Sequence, residues 1–107
     1  MSARHVFLNG SMQPPREGRL HAFQQAASAL RGYGYAVTNP VELGLDDPLG
    51  KHSGLRSEIE ALLKCDTMAL LPGWNTSGDA KLLVNIAARL GMPLYGVKAL
   101  MKEDAPR

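Results

Sequence analysis

The sequence contains a single cysteine, Cys65, so no internal disulfide can form and a reducing compartment is expected. No apolar run approaches the ~20 residues that cross a bilayer, so no spanning segment is expected. No charge of one sign dominates: 12 Lys+Arg stand against 10 Asp+Glu, and the formal net charge is +2. The charges are mixed and leave no basic stripe, which argues against binding to nucleic-acid polymers. His5, His21 and His52 are scattered and share no ligand spacing with Cys65, so neither a metal nor a cofactor is expected. The repeated glycines of a dinucleotide fingerprint are missing, and no Gly-Lys-Ser/Thr marks a P-loop. Residues 1–5 lead directly into a strand-like segment, so no signal peptide is expected. A single cytoplasmic domain over residues 1–107 follows, long enough for one core.

What is present alternates. Val6-Phe7-Leu8 is a short apolar run closed by Asn9-Gly10-Ser11, and predicts a buried strand and a turn. Residues 12–18 hold Pro14, Pro15 and Gly18 without a period and predict a surface flap. Leu20, Phe23, Ala27 and Leu30 fall at helical spacing, and Gly32 and Gly34 stop that helix. Tyr35-Ala36-Val37 reads as a second strand, ended by Asn39-Pro40 because the residue before proline avoids the helical region. Residues 41–54 are irregular, and Leu55, Ile59, Leu62 and Leu63 then mark one face of a second helix. Residues 65–71 predict a buried third strand. Ala80, Leu83, Ala87 and Leu90 stripe a further helix over 81–90, with Gly91 as its C-cap. Leu94-Tyr95-Gly96-Val97 reads as a fourth strand, and residues 98–107 as one last helical turn and a frayed end.

Strands alternating with helices specify an α/β domain with a parallel sheet. Continuous rather than alternating apolar runs fit strands covered on both faces. Ligands of such sheets sit beyond the carboxyl ends of the strands. Three loops meet there: Asn9-Gly10-Ser11-Met12, Asn39-Pro40-Val41-Glu42 and Gly73-Trp74-Asn75-Thr76-Ser77-Gly78-Asp79. The last is the organising stretch, because a glycine-bearing loop that feeds a helix N-terminus suits anions or nucleotides.

Each candidate residue has a plain structural role beside a functional one. Gly10 admits a ligand close to the backbone and Ser11 donates to a phosphate or sugar oxygen, but Gly/Ser turns are common after strands. Ser77 is a suitable N-cap and Asp79 a dipole-stabilising first-turn residue. In the functional reading Ser77 holds an anion and Asp79 a sugar hydroxyl. Asp66 enters its strand from the end remote from the ligand edge, where loop capping is the common role. Trp74 is either a stacking surface for a base or a lid on the core, with the two readings evenly balanced.

Taken together, these residues resemble the nucleoside 2-deoxyribosyltransferase-like family, and within it a small phage-associated branch of unknown function (the domain of unknown function 4406 type). The resemblance is carried by Val6-Phe7-Leu8-Asn9-Gly10-Ser11-Met12, by Gly34-Tyr35 followed by Asn39-Pro40-Val41-Glu42, and by Cys65-Asp66. It continues through Leu71-Pro72-Gly73-Trp74 with Ser77, and Leu90-Gly91-Met92-Pro93-Leu94-Tyr95. It implies a flavodoxin-like, Rossmann-like three-layer domain with a parallel sheet of four to five strands. A homodimer is implied, as is a deoxynucleoside or deoxynucleotide ligand held by Asn9, Gly10, Ser11, Met12, Asn39, Glu42, Gly73, Trp74 and Ser77. In enzymes of the group a helix glutamate attacks the sugar C1′ and the base leaves. The matching position here is Leu83, while Asp79 replaces a usual glycine and Ser11 a proline.

Three readings follow, in this order. The first is a nucleoside- or nucleotide-binding domain that kept the pocket and lost the nucleophile. The second is an active N-glycosidic hydrolase or deoxyribosyltransferase using Asp79, with Asp66 as a second carboxylate. The third is a phage protein-interaction module, placed in a bacterial cell or phage-infected host.

Overall fold

The computed structural model describes residues 4–12, 15–42 and 52–103. Its elements run β1 (His5–Asn9), α1 (Arg16–Gly32), β2 (Ala36–Thr38), α2 (His52–Leu62), β3 (Thr67–Leu70), a 3-10 turn (Trp74–Thr76), α3 (Gly78–Arg89), β4 (Leu94–Gly96) and α4 (Val97–Glu103). The strands form one parallel sheet in the order β2-β1-β3-β4, the flavodoxin-like order through its fourth strand.

β1 lies between β2 and β3, with Val6 and Phe7 level with Val37 and Thr38 on one side and Thr67 and Met68 on the other. Its Val6, Phe7 and Leu8 are fully buried because alternate side chains enter opposite cores. Val6 and Leu8 join Phe23, Ala27 and Leu30 of α1 and Leu100 of α4 on one face. Phe7 joins Met68, Leu62 of α2 and Leu83 and Ala87 of α3 on the other. The three layers follow from these two apolar clusters.

The helix ends obey local rules. Ser77 caps α3, its Oγ accepting the Ala80 N–H at 3.2 Å. Gly91 closes α3 at φ 74, and the Met92 and Gly91 amides return to the Ala87 and Ala88 carbonyls at 2.9 and 3.1 Å. This double return is a Schellman motif, and it needs a left-handed residue that glycine supplies without strain.

Several boundaries differ from the sequence expectation, and α3 begins at Gly78, three residues before the expected start. α1 starts at Arg16, inside the expected flap, with Pro15 as its N-cap. Proline suits that end, because the first helical N–H groups have no partner to lose. The rest of the flap at 13–14 and the irregular segment at 43–51 lie outside the described residues. Val97 does not extend β4 but opens α4, and the one helical turn expected after residue 98 is a helix as far as Glu103. Val97 and Leu100 are too few to show a period by themselves. Their burial against α1, with the Tyr35 hydroxyl donating to the Leu100 carbonyl at 3.1 Å, makes the helix. Residues 104–107 lie outside the described residues.

Candidate functional site

Because the four strands are parallel, their carboxyl ends share one edge, and the segments after β1, β2 and β3 meet there. Asn9 and Gly10 form its floor. Asn9 is buried, and its Nδ2 donates to the Ala80 carbonyl at 3.0 Å and toward the Met68 sulfur at 3.6 Å. The amide is therefore spent on joining β1 to the first turn of α3. A Cβ on Gly10 would stand 3.0 Å from Leu71 Cβ and Cδ1 and 3.2 Å from Phe23 Cζ. The close approach that this glycine permits is to Leu71 and Phe23. Ser11 is buried beside it, and Met12 packs half-buried on the α1 core.

Asn39 ends β2. Its Oδ1 accepts the Val41 N–H at 3.2 Å and its carbonyl accepts the Glu42 N–H at 3.0 Å, an Asx-type turn. It is 1% exposed, and among the described residues its Nδ2 makes no hydrogen bond of ordinary geometry. That amide is closed off from solvent, and, after Arg31, it helps hold the neighbouring Glu42 carboxyl below its ordinary range. Glu42 is engaged, receiving both guanidinium arms of Arg31 at 2.6 and 2.7 Å. Arg31 also donates to the Val37 carbonyl at 3.0 Å, so the pair ties the loop after β2 to the end of α1. The Arg31 hydrogen bonds hold the Glu42 carboxyl below its ordinary range, and Glu42 raises the Arg31 guanidinium in turn.

Gly73 adopts φ 86 between β3 and the 3-10 turn, a conformation in which a side chain would be strained. The Thr76 hydroxyl donates to the Gly73 carbonyl at 2.7 Å and closes that turn. Trp74 is half-buried and faces the space between α1 and α4. A residue that sequence reasoning passed over, Arg19, reaches the same loop: a Cβ on Gly73 would lie 3.1 Å from its Nη1. Its signal was a cation close to a helix N-terminus, the end whose dipole disfavours positive charge. Ser77 is occupied as the α3 cap, and Asp79 stands exposed in the first turn.

Asp66 does not join this group. Its carboxylate accepts the His5 N–H at 3.1 and 3.2 Å and the Thr67 hydroxyl at 2.9 Å, at the amino edge of the sheet. The length of β3 separates it from Asp79. Leu83 is 1% exposed and packs among Phe7, Leu62, Cys65, Met68 and Ala87. Burial pushes the Cys65 thiol up, which removes it as a nucleophile near neutral pH. Among the described residues no three His, Cys, Asp or Glu side chains gather to hold a metal, and no helix is long and apolar enough to cross a membrane.

Residues 4–95 match the family described as Domain of unknown function (DUF4406), and the chain belongs to that family. No curated protein matches the sequence. Among solved structures, the fold matches a 2-deoxyribosyltransferase from the psychrotolerant bacterium Bacillus psychrosaccharolyticus. The TM-score is 0.71 over 94% of this chain and 92% of that one, at 16% identity. The flavodoxin-like architecture is thereby shared, and the family to which the motifs pointed is the one found.

Gly10→Ala should destabilise the fold by about 1–3 kcal/mol through overpacking against Leu71, as measured by urea unfolding. The Arg31–Glu42 pair is exposed, so Glu42→Gln should cost only ~0.2–1 kcal/mol at neutral pH. A carboxyl with a lowered folded pKa contributes stability above its unfolded pKa and loses it as pH falls through the folded one. Wild type should therefore lose this increment on acidification below the ordinary carboxylate range, and Glu42→Gln should show no such loss in paired unfolding curves.

Proposed function

We propose that this member of the DUF4406 family binds a deoxynucleoside or deoxynucleoside monophosphate at the carboxyl edge of its sheet without breaking the glycosidic bond. The observation that carries the reading is Leu83, buried in the α2–α3 core at the position that the family resemblance gives to the nucleophile. An apolar side chain there can neither attack C1′ nor accept a proton. The fold shared with a 2-deoxyribosyltransferase supports a nucleoside ligand. The exposed Asp79 carboxylate suits a sugar hydroxyl, because an anion beside it would be repelled. Arg19, beside Gly73, provides the positive charge for a 5′-phosphate.

A second reading has its own observation. Asp79 is a solvent-facing carboxylate one helical turn before Leu83, and in that reading it performs the base release. Asp66 has no part in it, since it is committed at the opposite edge.

The ligand reading is tested by thermal unfolding with deoxynucleosides and their monophosphates. A ligand at 100 times its Kd adds ~2.7 kcal/mol, and each kcal/mol raises Tm by ~4–8 °C in a domain of this size. A clear rise is expected, with no free base above the no-protein control on chromatography. Base release that Asp79→Asn abolishes would select the second reading. A flat screen would overturn both and leave the protein-interaction module.

The chain is further proposed to act as a homodimer. Leu82 and Leu90 are 41% and 57% exposed on α3, and with the half-buried Ile86 they form one stripe at four-residue spacing. Light scattering should give twice the single-chain mass of 11.5 kDa, and Leu82→Glu with Leu90→Glu should return the monomer. A monomeric wild type would refute this.

A further inference from the structure

α1 presents Ala22, Ala26 and Ala29 toward α4, and α4 is only 7 residues long. Small side chains facing a short helix leave the space between them unfilled, and a pocket of about 610 Å³ results. That volume lies within the ~300–1,000 Å³ of small-molecule sites. Its walls are alanine, leucine and valine, with Trp74 and Met101 as the large polarisable groups. Among the described residues, Lys98 is the one ionisable side chain on those walls, and no carboxylate accompanies it. Lys98 follows directly on the β4 end and is exposed, while Arg19 lies on the same stripe of α1, one turn before Ala22. Lys98 therefore stands at the mouth of the groove, and the apolar surface lies behind it.

We propose that the α1–α4 groove is a binding site for a planar aromatic anion, its rings against Trp74 and its charge at Lys98. A nucleobase suits these walls poorly. Its ring edge carries several donors and acceptors, and the Gln25 amide is the one side chain beside Lys98 and the Trp74 indole that could answer them. A fused aromatic hydrocarbon body loses nothing by leaving water, stacks on an indole, and brings only its anionic group to be paired. The groove opens at the same carboxyl edge, where Leu70 and Gly96 end β3 and β4, but Asn39, Gly73 and Asp79 are not among its walls, and it does not depend on the nucleoside reading.

Trp74 is the sole tryptophan, so its fluorescence reports on this groove alone. The probe is 8-anilinonaphthalene-1-sulfonate, a fused aromatic sulfonate. Titration into the folded protein should give saturable binding of one dye per chain, with Trp74 emission quenched and dye emission sensitised. Lys98→Glu should weaken binding by roughly tenfold or more, the loss of one charge-assisted contact. Ala22→Leu, which fills the groove with another good helix former, should abolish binding at an unchanged melting midpoint. Non-saturating binding, absent energy transfer, or wild-type affinity in both variants would overturn the proposal. Displacement of the dye by deoxynucleoside monophosphates would also overturn it, by making the groove part of the nucleotide site. Dye binding alongside a flat nucleotide screen would support the groove and count only against the nucleoside reading. A nucleotide-induced rise in Tm that persists in Ala22→Leu would support two separate sites.

Discussion

The Asn9–Gly10 dipeptide is the joint on which the molecule turns. The Asn9 carbonyl accepts the Leu71 amide at 2.9 Å, its side-chain amide holds the Ala80 carbonyl at 3.0 Å, and Gly10 lets Leu71 and Phe23 close on the backbone. One short segment thus fixes the end of β1 to the end of β3, the start of α3 and the body of α1. Each contact is buried, so losing any of them would leave a polar group without water or an overfilled core. The loops of the ligand edge hang from this joint, and their relative positions follow from it.

That economy limits the chemistry. Polar residues at the edge are the ones a sequence reader marks as ligand contacts, yet several are consumed by the scaffold. Asn9 bridges β1 and α3, Ser77 caps α3, and Glu42 is bound by Arg31. The exposed Asp79 carboxylate is a group that the described edge offers beyond the scaffold, and Arg19 reaches the loop beside Gly73. Such a set can orient a neutral sugar or base. It holds no carboxylate inside the core where Leu83 lies, and the leucine stabilises that core by ordinary burial.

The two faces of the sheet have been filled to different degrees. On the α2–α3 side, Phe7, Met68, Leu62 and Leu83 interlock. On the other, alanines line α1 where it meets a helix of 7 residues, and Trp74 from the loop after β3 faces a gap instead of a packed neighbour. The same loop therefore serves two regions: Gly73 and Asp79 belong to the strand edge, and Trp74 to the groove.

The sequence by itself determined the architecture. Val6-Phe7-Leu8, the apolar run before Pro72, and the stripes of α1 and α3 are local signals, and in a parallel sheet with both faces covered the burial follows directly from such runs. Ser77 as a cap and Gly91 as a stop were equally legible, because caps depend on a few neighbouring residues. Only the tertiary structure decided which polar groups remain for a ligand. Asn9 and Glu42 meet partners 71 and 11 residues away, and Gly10 is required by Leu71. No local pattern encodes such contacts, because they come into being when separate elements pack. The helix at 97–103 and the groove beside it are of the same kind, produced by how α4 lies on α1 rather than by any period in the chain.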